Sequence, residues 1–152
     1  MGIFSFALVS MIGLLSVGLK NSRRANIQIS ASNLMSAIAS DIRSSTCLLK
    51  AGTSSYSSYS SYSSPRLKLS ASVDVRGSVS GVNPASAILD ESGSPADLAS
   101  PSPLVKLFTV SFTAASAGTT AIRVTIQWPP RAAGSNAPYE GSLDALIPLP
   151  SP

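Results

Sequence analysis

The chain opens with MGIFSFALVSMIGLLSVGL (Met1–Leu19), a stretch without any charged residue. Its only polar side chains are those of Ser5, Ser10 and Ser16, and apolar residues occupy every side of a helical wheel. A helix that is apolar all round is a core helix or a membrane span, and a span needs roughly 17–25 such residues. The stretch therefore predicts a membrane-inserted helix that also packs against copies of itself, through Ile3, Phe4, Phe6, Leu8, Val9, Ile12, Leu14, Leu15 and Leu19.

Basic residues end this apolar stretch. Lys20, Arg23 and Arg24 follow it directly, whereas the other basic residues of this +4 chain are scattered. A basic collar at lipid headgroups is favoured over a nucleic-acid patch. Nothing basic precedes Ile3, which argues against a cleaved signal peptide. The charge bias favours a cytoplasmic C-terminus.

A second pattern follows without a break and is typical of an amphipathic helix. Apolar residues recur at steps of three and four, and no proline occurs before Pro65. One continuous helix is expected, apolar in residues 1–19 and amphipathic in residues 20–52, fading near Ser44–Ser45 with Gly52 as its latest stop. About 45 residues would extend nearly 70 Å, too long for one small domain to bury. The stripe consists of Ile27, Ala31, Leu34, Met35, Ile38 and Ile42.

Residues 53–65 are of low complexity. Tyr56, Tyr59 and Tyr62 recur every third residue among serines, which predicts a mobile surface loop. A tyrosine-bearing contact surface is the alternative, because tyrosine buries area at small entropic cost.

After Pro65 the apolar period becomes two, as in half-buried strands. Residues 66–152 are therefore expected to form a small, mostly antiparallel sheet, covered by the amphipathic half of the helix in an α+β fold. Core positions expected between the helix and the sheet are Ile27, Leu34, Ile38, Ile42 and Trp128. Strands are predicted over Arg66–Val75, Ala87–Glu91, Val105–Ala114, Thr120–Trp128 and Ser142–Ile147.

The residues present do not support nucleophilic catalysis. The chain has no histidine, so no histidine activates a serine or Cys47, and no Gly-x-Ser-x-Gly motif occurs. No catalytic residue and no cofactor is expected. Asp90, Glu91 and Asp97 could offer oxygen ligands to calcium, but their spacing is not that of a calcium loop. Turn stabilisation or simple solvation of these acids is favoured.

The layout and the segment Gly2–Lys20, running into Asn-Ser-Arg, resemble type IV pilins and minor pseudopilins, most closely the pilin-like cassette proteins labelled Verru_Chthon. The strand Arg123-Val-Thr-Ile-Gln-Trp-Pro129 also looks like the penultimate strand of minor pseudopilins. The family has a basic leader, a Gly-Phe or Ala-Phe cleavage point and a glutamate in the apolar segment. This sequence lacks all three. A natural start upstream of Met1 is favoured, and the alternative is a copy that lacks both the processing and the glutamate contact.

The resemblance implies a structural, non-enzymatic subunit of a type IV pilus or a type II secretion-like filament. Its expected partners are other pilin-like subunits and the inner membrane, with the C-terminal domain in the periplasm or outside the cell. Nucleic acid is disfavoured as a partner. The alternative is a monomeric, membrane-anchored binding module for a surface polymer or DNA, and a secreted hydrolase is a remote third reading.

Overall fold

The structure, a computed structural model, describes residues 2–51, 58–74, 78–98, 106–116, 119–130 and 138–150. Within these ranges the side chains of residues 2–10, 12, 47–51, 58–60 and 80 lie outside the description. The chain divides into two units, Met1–Ser30 and Ala31–Pro152, and each is treated by itself below.

One helix, α1, runs from Gly2 to Arg43. The predicted continuous helix is confirmed: no proline or strong breaker interrupts it, and the last turn closes with bonds from Ser44 N–H to the Ser40 carbonyl (3.0 Å) and from Ser45 N–H to the Ile42 carbonyl (3.1 Å). The extension to residue 52 is wrong. Residues Thr46–Ala51 form strand β1, since pairing with a neighbouring strand satisfies their backbone groups outside the helix.

The amphipathic stripe of α1 supplies one wall of the core in the second unit. Leu34, Ile38 and Ile42 are at most 1% exposed, as predicted from their spacing. A β-carbon added to Gly93, which follows the fifth strand, would lie 3.6 Å from Cδ1 of Leu34. Ile27, predicted for the same core, belongs to the first unit and is partly buried, and the fully buried part of the stripe begins at Ser30 and Ala31.

The first sheet has four antiparallel strands in the order β1-β2-β3-β4. The interpretation of residues 53–65 as a loop is wrong for Ser58–Ser63, which pair on both sides as β2, and Tyr62 is 2% exposed. Residues 52–57 lie outside the described part. The strands are β1 (Thr46–Ala51), β2 (Ser58–Ser63), β3 (Ser70–Val73) and β4 (Val79–Asn83).

Strand β3 begins later than the predicted strand Arg66–Val75, because a carboxylate accepts hydrogen bonds from the backbone of the first predicted residues. Asp41 of α1 is 5% exposed, and its Oδ1 and Oδ2 accept the backbone N–H groups of Arg66 and Leu67, each at 3.0 Å. Lys68 then takes a left-handed φ of 50°. These residues form a turn that is fastened to the end of α1, and a buried carboxylate needs such donors to be tolerated.

The second sheet follows the predicted strands closely. It is antiparallel in the order β5-β6-β7-β8, and alternate residues of β6 and β7 are buried: Phe108, Val110 and Phe112 opposite Ile122, Val124 and Ile126. Between β6 and β7, Thr119 N–H donates to the Ser116 carbonyl (3.1 Å). The strands are β5 (Ser86–Asp90), β6 (Leu107–Ala114), β7 (Ala121–Trp128) and β8 (Gly141–Pro148).

Trp128 ends β7 as the predicted core anchor. Its ring is 8% exposed and meets Phe108 edge-on, with ring centroids 6.4 Å apart. Gly141 is its register partner on β8, and the indole covers the position that a β-carbon would occupy. The glycine is needed for this close approach.

The α+β class is confirmed, with two points of correction. The strands form two four-stranded sheets rather than one, and the sheet-bearing unit begins before residue 66, because β1 and β2 belong to it. The two sheets approach each other at β4 and β6. The bond from Phe112 N–H to the Ala85 carbonyl (2.7 Å) extends the pairing of β5 with β6 by one residue.

Candidate functional site

The feature that most needs a functional explanation is the apolar surface of α1 within the first unit. Among residues 11–19, five described apolar side chains are between 56% and 76% exposed, and Ile29, further along the helix, is 60% exposed. At about 100° per residue the five side chains spread over roughly 200° of the helix circumference. Contiguous exposed apolar surface of this kind marks an interaction site. We call this set the apolar helix segment: Met11, Leu14, Leu15, Val17 and Leu19.

Two small residues lie in the remaining sector of this helix, which also includes the position of Ile12. Gly13 and Ser16 lie there, and the Ser16 hydroxyl donates to the Gly13 carbonyl at 2.9 Å. A β-carbon at Gly13 would have no neighbour within 4 Å in this chain. Because the hydroxyl is already paired inside the helix, the segment can enter an apolar environment without leaving that donor unsatisfied.

The predicted assembly residues are only partly described. Leu14, Leu15 and Leu19 lie on the exposed helical surface as expected. The side chains of Ile3, Phe4, Phe6, Leu8, Val9 and Ile12 fall outside the description. Among the described residues, no helix combines the length and the apolar character needed to cross a bilayer.

Lys20, Arg23 and Arg24 are exposed at the end of the apolar helix segment. At steps of three and four they share one face of α1. No acidic residue precedes them in the helix; the first is Asp41, whose carboxylate is buried and bonded to Arg66 and Leu67. The helix therefore presents an apolar surface followed by a cationic one.

The three acidic calcium candidates do not converge. The Oδ1 atom of Asp90 accepts the Ser92 N–H (2.9 Å), the Ser94 N–H (2.8 Å) and the Ser92 hydroxyl (2.6 Å), which organises the turn after β5. Glu91 lies 3.7 Å from Nζ of Lys106. Among the described residues no group of three metal-binding side chains includes Asp97 or any other acid.

The contribution of the turn around Asp90 to stability depends on pH. Burial by itself raises the pKa of Asp90, but the hydrogen bonds donated by Ser92, Ser94 and Gly93 outweigh it, and the pKa lies below its ordinary value of 3.8. The ionised carboxylate thus stabilises the fold above the ordinary pKa, and that stabilisation disappears as the pH falls through the depressed value.

We expect Asp90→Asn to lower the thermal midpoint near neutral pH, because the amide cannot replace the charge-assisted bonds. The difference from the parent chain should close at a pH below the depressed pKa. Thermal melts at both pH values measure this, with Glu140→Gln, a substitution at an exposed carboxylate, as the control for net charge. A difference that stays constant across the pH range would contradict the assignment.

The tyrosine-bearing contact surface is not formed by Tyr62, which is buried. Tyr56 and the side chain of Tyr59 lie outside the description. Sequence reasoning missed a different feature, an open groove of about 360 Å³ on the outer side of β7 and β8, lined by Arg123, Asp144, Ala145 and Leu146. Strand alternation places both Arg123 and Leu146 outward, but it does not show that the pairing of β7 with β8 brings them together.

No protein-family model, curated protein or solved structure matches the chain. The site residues therefore have to be interpreted from their own geometry and chemistry.

Proposed function

We propose that the protein is a structural, pilin-like subunit whose apolar helix segment packs against the same segment of neighbouring subunits in a filament core. The observation that carries this proposal is the exposure of Met11, Leu14, Leu15, Val17 and Leu19 around the helix, at 56–76% each. A single partner surface would cover only one side of such a helix. Cover over roughly 200° needs several neighbours or lipid.

In this proposal the segment resides in the inner membrane before assembly and moves from lipid into the filament. The exchange costs little, because helices in a filament core offer apolar surroundings comparable to lipid tails. Gly13 and Ser16 would allow neighbouring helices to approach closely, as small residues do in packed helices. The sheet-bearing unit would face outward.

The competing function is a monomeric, membrane-anchored binding module. This function explains an apolar helix equally well, but it surrounds the apolar helix segment with lipid on every side instead of protein. The two functions therefore differ in the number of protein neighbours at the apolar helix segment.

Disulfide cross-linking of single-cysteine variants distinguishes the two functions. With Cys47 replaced by serine, cysteine is placed in turn at Leu14, Leu15 and Val17, which point in different directions around the helix. In membranes or filaments of the full chain, a subunit surrounded by others should cross-link from all three positions. Absence of cross-links at every position, with the chain still in the membrane fraction, would contradict the filament and favour the monomeric module.

A further inference from the structure

The outward face of β7 and β8 has a composition unlike the rest of the second sheet. Arg123, Asp144 and Leu146 are exposed there, and Leu146 is 59% exposed, the largest value among the apolar side chains recorded as exposed in the second unit. Arg123 is the register partner of Leu146, and Thr125 is the partner of Asp144. The three exposed residues lie together around the 360 Å³ groove, and we call them the β7–β8 face.

The two charges of this face are close to each other but do not pair. Among the described residues, neither Arg123 nor Asp144 takes part in an ion pair. Asp144 instead accepts a hydrogen bond from the Thr125 hydroxyl, which fixes the direction of its carboxylate. Arg123 extends from the adjacent strand, two register pairs further along the ladder and on the same face.

An arginine and an aspartate on either side of an exposed leucine form a self-complementary pattern. When such a face meets its own copy across a two-fold axis, each arginine lies opposite the partner's aspartate and the two leucines meet near the axis. A two-fold interface requires this reciprocity, since the same patch serves both subunits. Charge complementarity therefore points to a second copy of this chain.

We propose that the β7–β8 face joins the sheet-bearing units of two copies in a closed, two-fold dimer, with reciprocal contacts between Arg123 and Asp144 around Leu146. The proposal goes beyond the filament contact of the helix and does not depend on it. It concerns residues of the second unit alone.

The contact is a weak one. Three strands of eight residues and one of five, about 4.8 Å apart and rising about 3.3 Å per residue, give the whole face of the second sheet roughly 460 Å². Two such faces reach the lower end of the size range of specific interfaces, where transient complexes lie. The charges then serve mainly to select the partner and the register.

Charge reversal tests the proposal. In a two-fold dimer, Arg123→Asp places aspartate opposite aspartate, and Asp144→Arg places arginine opposite arginine. Each single variant of the detergent-solubilised full chain should dimerise at least tenfold more weakly than the parent in sedimentation velocity. An equimolar mixture of the two variants restores both opposite-charge contacts and should recover the dimer, as should the double variant.

Recovery of the dimer in the mixture or in the double variant would show that the single variants had lost this contact, and not their folding or an association through α1. Leu14→Arg, on the helix, should leave this dimer unchanged, whereas the cross-linking at Leu14, Leu15 and Val17 should not respond to the charge reversals. A parent chain that stays monomeric would overturn the proposal. Single variants that dimerise like the parent would overturn it too, as would a mixture and a double variant that both remain as weak as the single variants.

Discussion

Leu14→Arg is expected, under the proposed filament function, to remove the protein from the membrane fraction and from filaments. Leu14 is 76% exposed, so nothing in the fold of the chain depends on it, and the effect should fall on assembly alone. An arginine in the middle of an apolar helix costs about 2.5–3.5 kcal/mol on membrane-insertion scales. That corresponds to a loss of roughly a hundredfold in partitioning. Cell fractionation and filament preparations measure it directly.

Gln28→Arg is the matched control, since it adds the same charge at an exposed position of the same helix, beyond the apolar helix segment. This variant should fractionate and assemble like the parent chain. The thermal midpoint of the sheet-bearing unit should be unchanged in both variants. If Leu14→Arg chains were incorporated at the parent level, the apolar surface would not be the assembly contact.

The second large effect is expected at Gly141. A β-carbon there would overlap the Cζ2 and Cε2 atoms of Trp128, a rigid ring that also packs edge-on against Phe108. Gly141→Ala must therefore displace the indole or the end of β8. Overpacking together with the lost burial should cost about 3 kcal/mol, or ~10 °C in the thermal midpoint.

Gly81→Ala in β4 is the control, because a β-carbon at that glycine meets no atom within 4 Å. It should be neutral or slightly stabilising. A second check combines Gly141→Ala with Trp128→Leu: once the large ring is gone, the alanine should cost much less than it does beside tryptophan. Equal costs in the two backgrounds would show that the ring is not what excludes the side chain.

The sequence was sufficient to predict an element and its buried face where the apolar period matches the period of a helix or a strand. The steps of three and four from Ala31 to Ile42 predict the buried stripe of α1, and the alternation around Phe108, Val110 and Val124 predicts β6 and β7. These segments have enough consecutive positions to establish the period, and each buries the face that the period indicates.

The first sheet could not be predicted in the same way. The segment Thr46–Ala51 follows α1 without a glycine or proline, so the pattern alone favours more helix. Ser58–Ser63 repeats with a period of three, which matches neither a strand nor an apolar stripe, and pairing on both sides makes it a strand. Asp41 looked like one more polar position, although its carboxylate closes the turn at Arg66 and Leu67. Such long-range pairings leave no local periodicity.

The difference between local periodicity and long-range pairing also decides which of the two candidate surfaces could be predicted from the sequence. The apolar helix segment was evident because lipid and helix partners both require continuous apolar sequence. The β7–β8 face was not, because Arg123 and Asp144 are 21 residues apart in sequence and only the strand register brings them together.

The bonds of Asp41 have a mechanical consequence. A pull on the end of α1 is not borne by the apolar stripe alone, because the carboxylate passes tension to the backbone of Arg66 and Leu67, between β2 and β3. The Arg66 guanidinium in turn donates to the Ser92 carbonyl at 3.2 Å, in the turn that follows β5. A force that enters through the Asp41 carboxylate is thus divided between the two sheets. The sheets therefore do not have to separate from each other one strand at a time.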